Sequence, residues 1–272
     1  MLLNHTTGPY ARELPMTATT KTTLPMLSAS RTALVLTCPL AARLPWEERE
    51  SGPAAKIGTH FHALVEKPII AREWVALDEL DASFEPAIRT TLAWFSEQVT
   101  DGEDILTEQA YELKPLGGYV HEPGKREPHW RDRMVSTRLP RADHRSYPHG
   151  DASFFGTADV VILGKGMAHV IDWKTGRRSD EHLAQLKSLA LMVAEAEHVN
   201  HVKATAVYVN IDTGKLKAES VMLDSFDLHV HAGQLVSLFQ NRVNAGALPD
   251  PVPGKQCFFC PAVGCPEKVR KP

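Results

Sequence analysis

From Leu27 onward the apolar residues recur in two periods, and these lay out the elements. Leu34, Leu36 and Leu40 mark a first short helix that Ser28 or Ser30 is placed to cap and that Pro39 interrupts. In residues 54–66, Ile57, Phe61, Leu64 and Val65 recur at helical spacing and form one apolar stripe. Residues 84–99 predict a second full helix and residues 105–113 a strand. Two runs rich in β-branched and aromatic residues, 154–163 and 167–173, flank Gly164-Lys165-Gly166 and read as a hairpin. A helix follows to about residue 197, with Ser179 or Asp180 at its start; strands over 203–211 and 216–222 and a helix over 226–243 complete the order. Residues 1–26, with three prolines and a Thr-rich stretch, read as a tail.

The hairpin carries the candidate chemistry. Centring it between Lys165 and Gly166 sets Leu163 against Ala168, Val161 against Val170 and Asp159 against Asp172, all on one face, with Lys174 two residues further. Val160, Ile162, Ile171 and Trp173 fall on the other face, so both faces are largely apolar and the sheet is expected to be covered on both sides. Two carboxylates directly opposite in a covered sheet repel by about 3–4 kcal/mol at an effective dielectric of 20. A shared proton, Lys174 or a divalent cation must offset that, and an all-oxygen donor set favours Mg²⁺ or Mn²⁺. An Asp–Lys salt bridge at a sheet end is the plain structural alternative.

Composition narrows the class. Of 272 residues, 43% are hydrophobic and 23% charged, enough for a real core, and the net charge of −3 excludes a uniformly basic nucleic-acid coat. A local basic patch remains available. Residues 121–150 hold six Arg, one Lys and four His against four acids, together with four Pro, and read as a basic, Pro-rich insertion. No run is long and apolar enough to span a membrane, and residues 1–16 lack a basic-then-apolar leader, so a cytoplasmic chain is expected. No Walker motif is present, so the chain carries no helicase motor of its own, and no Gly-x-Ser-x-Gly supports a serine hydrolase. Four cysteines in such a chain read first as metal or redox ligands.

The order of these features resembles the RecB-like branch of the PD-(D/E)XK nuclease superfamily. The matching stretches are GTHFHALVE (58–66), a strand glutamate in ILTEQAYEL (105–113), GTADVVIL (156–163), VIDWKTG (170–176) and QLKSLAL (185–191), with SASRTALVLTCPLAARL (28–44) resembling the opening of such domains. The resemblance covers residues 27–266 and implies a restriction-endonuclease-like α/β core, a mixed central sheet flanked by helices. It implies His62, Asp159, Asp172 and the backbone carbonyl of Trp173 as ligands of Mg²⁺ or Mn²⁺, Asp159, Asp172 and Lys174 as the catalytic set, and Gln185 close to the DNA backbone. Glu108 matches the strand glutamate, with Glu112 as a competitor. Gly58, one turn before His62, suits close approach of the helix; His60 points about 200° away from His62 on the helix. Where relatives carry Tyr four residues after the glutamine, this chain has Leu189.

Cys257, Cys260 and Cys265 lie together, and Cys38 lies more than two hundred residues earlier; Cys38, Cys260 and Cys265 each precede a proline. Iron–sulfur members of the branch carry such a split, so the resemblance implies a 4Fe–4S cluster joining the two ends of the domain. The last gap is one residue shorter than theirs, which leaves zinc open. The function implied is a metal-dependent DNA exonuclease acting on single-stranded ends, bacterial or phage-encoded, alone or with a recombination or CRISPR-adaptation partner. A structure-specific endonuclease on the same core and a non-catalytic DNA-binding subunit are the competing readings. DNA contacts are expected from Arg177 and Arg178 and from Arg126, Arg131, Arg133, Arg138, Arg141 and Arg145.

Overall fold

The computed structural model describes residues 26–47, 50, 52–72, 83–116, 129–140, 153–243 and 247–267. The tail, apart from Met26, lies outside them, as do residues 121–128 and 141–150 of the basic segment. The chain runs through β1 (Leu27–Ser28), α1 (Thr32–Thr37), α2 (Pro53–Ala71), α3 (Glu85–Ser96), β2 (Asp104–Pro115), β3 (Met134–Arg138), β4 (Phe154–Gly164), β5 (Met167–Lys174), α4 (Glu181–Ala196), β6 (His201–Val209), β7 (Leu216–Leu223) and α5 (Ser225–Val243). Seven strands form one sheet in the order β3-β2-β4-β5-β6-β7, with β1 added parallel to the first residues of β4. β5 and β6 are parallel, joined by α4 as a crossover, and the remaining pairs are antiparallel.

Both faces are covered, as the apolar hairpin demands. Val161, Ala168 and Val170 pack under α4 and α5 in one core. Val160, Ile162, Ile171 and Trp173 pack under α2 and α3 in a second. The buried stripe of α2 is Phe61, Val65, Pro68 and Ile69, while Ile57 is exposed, and the helix runs a turn and a half beyond the expected residue 66. Pro68 is accommodated near its end, and the helix stops at Arg72 in the left-handed region. Neither Ser28 nor Ser30 caps α1; a 3-10 turn over Ala29–Arg31 leads into it instead. Ser179 does help start α4, its hydroxyl accepting the Glu181 amide at 3.3 Å.

Part of the basic segment is not a loop. Its residues 134–138 are β3, the edge strand, and Trp130 and Met134 are fully buried. Its arginines there are committed to the fold. Arg138 pairs with Glu197; Arg131 bonds Asn200 and the carbonyls of Ala194 and Val199; Arg133 is buried. All three are engaged within the fold, and Arg126, Arg141 and Arg145 lie outside the described residues.

A buried polar chain crosses the first core. Thr32 Oγ1 lies 2.8 Å from Ser188 Oγ, which lies 2.9 Å from His231 Nε2, and Nδ1 of that ring lies 3.2 Å from Gln234 Oε1. Burial holds the His231 pKa down to about 4, from an ordinary 6.5. Between those values the unfolded chain takes up a proton that the folded chain refuses, so stability falls as pH drops, by on the order of 3 kcal/mol across the window. In urea unfolding, wild type is expected to lose stability from neutral pH to about pH 4 more steeply than His231→Gln, by roughly that amount. Equal slopes would show that His231 is not held neutral.

Candidate active site

The site forms where the sheet forks. The predicted register holds from Gly164↔Met167 to Val160↔Ile171, and there the β4–β5 ladder ends. Beyond it β5 continues alongside β6 only, as far as Lys174, while β4 is joined at Phe154 and Phe155 by β1. Asp159 therefore does not face Asp172 across a regular pair, as strict alternation predicts. Its carboxylate Oδ2 instead accepts the Trp173 amide at 2.6 Å, replacing a ladder bond with a side-chain bond.

The alternation of side chains slips at this point on two strands. Ala158 and Val161 both pack into the first core although they are three residues apart. On β2, Leu106 borders that core, and so do Tyr111 and Leu113 after the slip. Thr107 pairs with Val160 and Gln109 with Ala158, which leaves Glu108 opposite Asp159 at the step. Glu108 has φ 45°, a left-handed backbone for a non-glycine residue in the middle of a strand. Such a conformation costs about 1–3 kcal/mol and persists where the surroundings enforce it. Here it turns a carboxylate toward its counterpart on β4.

His62 reaches the fork from α2. Its Nδ1 lies 3.3 Å from Asp159 Oδ1 and 3.9 Å from Glu108 Oε1, and its Nε2 lies 3.1 Å from the Trp173 carbonyl. Gly58, one turn earlier, lets the helix come this close, since a Cβ there would lie 3.0 Å from Thr175 Oγ1. His60 points elsewhere and meets Phe84 edge-on. Trp173 is the anchor: its ring packs edge-on against Trp94 and Phe95 in the second core, at 5.9 and 6.2 Å. Its backbone amide and carbonyl are thereby held out to Asp159 and His62.

Asp172 and Lys174 lie on the α4 side. Lys174 Nζ lies 2.6 Å from Asp172 Oδ2 and donates to Gln185 Oε1 at 3.0 Å; Gln185 Nε2 donates to Asp172 Oδ1 at 3.1 Å. Gln185 thus clasps the Asp–Lys pair. Leu189, at the position where the resemblance expects a tyrosine, is fully buried in the first core, near Gly156, and cannot reach a substrate. Glu112 is remote from the fork, accepting from Ser153 and pairing with Lys114. Arg178 is paired with Glu219, and Arg177 lines an open groove beside the β5 end.

Negative charge is concentrated at the fork. Burial alone would lower the His62 pKa, but the carboxylates of Asp159, Glu108 and Asp172 overcome it and raise the pKa to about 9. Burial alone would raise Asp159, but His62, Lys174 and the Trp173 amide hold it below its ordinary value. Asp172 is raised, chiefly by burial and then by Asp159, against the pull of Lys174. The charged imidazole thus supplies positive charge that two carboxylates require. His62, Glu108 and Asp159 each offer a ligand atom within 4.8 Å of the others, the one such set among the described residues. A nitrogen and two carboxylate oxygens suit a divalent ion.

The four cysteines are not drawn into such a set. Cys38, Cys257, Cys260 and Cys265 all line one cavity, but among the described residues their sulfurs do not close to ligand-set distances. The expected cluster is not assembled; the ends are sewn by backbone bonds, Glu47 N to Pro261 O at 2.9 Å and Val263 N to Pro45 O at 2.8 Å, around a Trp46–Ala262 bridge.

Two residues of this neighbourhood escape the sequence reading. Tyr208 pairs with Lys174 in the β5–β6 ladder, and its hydroxyl lies 3.0 Å from His182 Nδ1. The only signal is that His182 precedes Gln185 by three, on the same helix face.

Asp159 is expected to hold both a cation and a strand. Asp159→Ala leaves the Trp173 amide without its acceptor and should cost about 1–3 kcal/mol more than Asp159→Asn in metal-free unfolding. Mn²⁺ in large excess over its dissociation constant should stabilise wild type by about 2–3 kcal/mol and neither variant. Equal metal-free stability of the two variants would remove the strand role, and Mn²⁺ stabilisation of Asp159→Asn like that of wild type would remove the ligand role.

A profile of the PD-(D/E)XK nuclease superfamily matches residues 26–265. Among solved structures, the chain is similar to SSO0001 (16% identity, 94% of this chain and 91% of that one, TM-score 0.33). It is also similar to LHK-Exo in complex with dAMP (12%, 80% and 87%, TM-score 0.31) and to LHK-Exo, an alkaline exonuclease, from Laribacter hongkongensis (12%, 80% and 89%, TM-score 0.29). No curated protein matches the chain. The family match spans every element that builds the fork, and the chain belongs to the PD-(D/E)XK nuclease superfamily.

Proposed function

We propose that the protein is a Mg²⁺- or Mn²⁺-dependent DNA exonuclease that hydrolyses phosphodiester bonds from single-stranded ends. The observation that carries this is the junction at the fork, where the His62–Glu108–Asp159 set adjoins the Asp172–Lys174–Gln185 clasp. His62, Glu108 and Asp159, with Asp172 and the Trp173 carbonyl, are the groups that would hold the ion. When bound, the ion supplies Lewis-acid polarisation of the phosphate and a more acidic water. Lys174 is the donor facing the attacked phosphate, where a fixed cation stabilises developing negative charge. Asp172 and Gln185 hold its ammonium in place, so it meets the phosphate without first losing rotamer freedom. The Trp173 anchor fixes the backbone between the two halves.

The cysteine cavity supports a second, structural role. Four thiols around one cavity are a soft donor set that suits iron–sulfur or zinc. The burial and neighbouring cysteines that raise the Cys260 thiol pKa are relieved when a metal takes the thiolates. We propose that a 4Fe–4S cluster, with zinc as the alternative, would draw these thiols together and tie residues near Cys38 to the C-terminal segment.

End-labelled linear single-stranded DNA should be degraded in Mg²⁺ or Mn²⁺, and Lys174→Ala should lose this by about 10²-fold or more; covalently closed circles should survive. Cutting of closed circles would replace the exonuclease by an endonuclease, and inert wild type on every DNA would remove the enzyme. For the cavity, anaerobically purified protein should carry iron or zinc, and Cys38→Ala should lose as much as Cys260→Ala. Full metal content in Cys38→Ala would remove the split site.

A further inference from the structure

Beside the Lys174 clasp, the sheet face under the start of α4 is not filled. A cavity of about 350 Å³ opens there, between the first turns of α4 and the outer strands β6 and β7. This is within the usual range of small-molecule sites (~300–1,000 Å³). Leu183, Leu186, Ala206 and Val221 give it apolar walls, and Tyr208 stands at its boundary. On the other side of Tyr208 lies an open groove lined by Arg177, Lys215 and Lys217, with Asn210 and Thr175 and no acidic residue. Tyr208 lines both spaces and is the ladder partner of Lys174.

The two spaces differ in what they accept. The groove presents Arg177 and Lys215, with Lys217 paired to Glu219 at 2.7 Å, and this net positive lining suits phosphates. The cavity includes the carboxylates of Asp180 and Glu219, the latter paired with Arg178 at 2.7 Å, and its walls are apolar. That is a poor place for an anion and a suitable one for a flat, neutral heterocycle with polar edges. Tyr208 is a rigid platform: the His182 ring lies 5.6 Å away at a 34° tilt, and its Nδ1 is 3.0 Å from the tyrosine hydroxyl. An aromatic ring so held loses little freedom when a base stacks on it, and base–aromatic stacking tolerates every base.

We propose that this cavity takes the base of a nucleotide next to the bond being cut, stacked on Tyr208, while the phosphates of the same strand lie in the Arg177–Lys215–Lys217 groove. This rests on the nuclease reading and adds to it: an unstacked, single-stranded end is required, because a paired base cannot enter. His182 is a positioning residue that holds the Tyr208 ring.

The test uses the full chain and single-stranded oligonucleotides, with Ca²⁺ in place of Mg²⁺ so that binding is read without cutting. One oligonucleotide is intact, and others carry abasic residues at one end or the other. Wild type should bind the intact strand more tightly than one of the abasic strands, by roughly 5- to 150-fold. Tyr208→Ala should bind both alike, and Tyr208→Phe, which keeps the ring, should retain most of the difference. A 2-aminopurine placed at the same end should be quenched by wild type and by Tyr208→Phe but not by Tyr208→Ala. If wild type bound intact and abasic strands equally yet still digested DNA in Mg²⁺, the base pocket would fall and the nuclease would stand. If wild type neither bound nor digested any strand, both would fall. Loss of the preference in Tyr208→Phe as well would overturn stacking as its source.

Discussion

The fork depends on one hydrogen bond that is not a sheet bond. Where β5 should accept another rung from β4, the Trp173 amide bonds the Asp159 carboxylate. The substitution lets the strands separate without leaving a buried amide unsatisfied, which would cost about 1–3 kcal/mol. It also fixes a carboxylate at the point of separation, and it gives β5 a polar contact on that side up to the residues that carry Asp172 and Lys174. The site is thus an interruption of the sheet that the sheet itself stabilises.

The interruption is held from both cores. The Trp173 ring is locked against Trp94 and Phe95, and aromatic pairs of this kind add roughly 0.5–1.5 kcal/mol each beyond area burial. From the other face, α4 brings Gln185 onto the Asp172–Lys174 pair. Stabilising energy from the cores is what permits Glu108 to keep its left-handed backbone and Asp159, Glu108 and His62 to crowd one another. Like charges gathered at that expense make sense around a cation, and the raised pKa of His62 shows the same demand for positive charge.

Charge across the molecule follows the same economy. Much of the arginine that makes residues 121–150 basic is spent on the fold where it is described, with Arg138 on Glu197 and Arg131 on the end of α4. The cations that line the groove beside the site come from the loop after β5 (Arg177), the β6–β7 connection (Lys215) and the start of β7 (Lys217). A net charge of −3 is compatible with a nucleic-acid enzyme because only this short rim must be positive.

The sequence by itself determined most of the elements, the hairpin register from Gly164↔Met167 to Val160↔Ile171, the two-faced burial of that hairpin, and the superfamily. These are local: period-two alternation and a two-residue turn set them with no knowledge of distant chain. The resemblance, carried by short ordered motifs, also singled out His62, Asp159, Asp172, Lys174 and Gln185, which the fold brings to the fork. Tertiary structure decided the rest. Whether the alternation continues past Val160 depends on a side chain on β4 competing for an amide on β5, and on a backbone flip at Glu108 that no propensity predicts. Residues 134–138 became a strand because β2 offered a free edge, not because their composition asked for one. Tyr208 entered the site through its pairing with Lys174, a contact between residues more than thirty apart in the chain. The four cysteines, more than two hundred residues apart at the extremes, were brought to one cavity by the pairing of the segments around Trp46 and Ala262. In each case the deciding interaction joins distant segments, and local pattern carries no record of it.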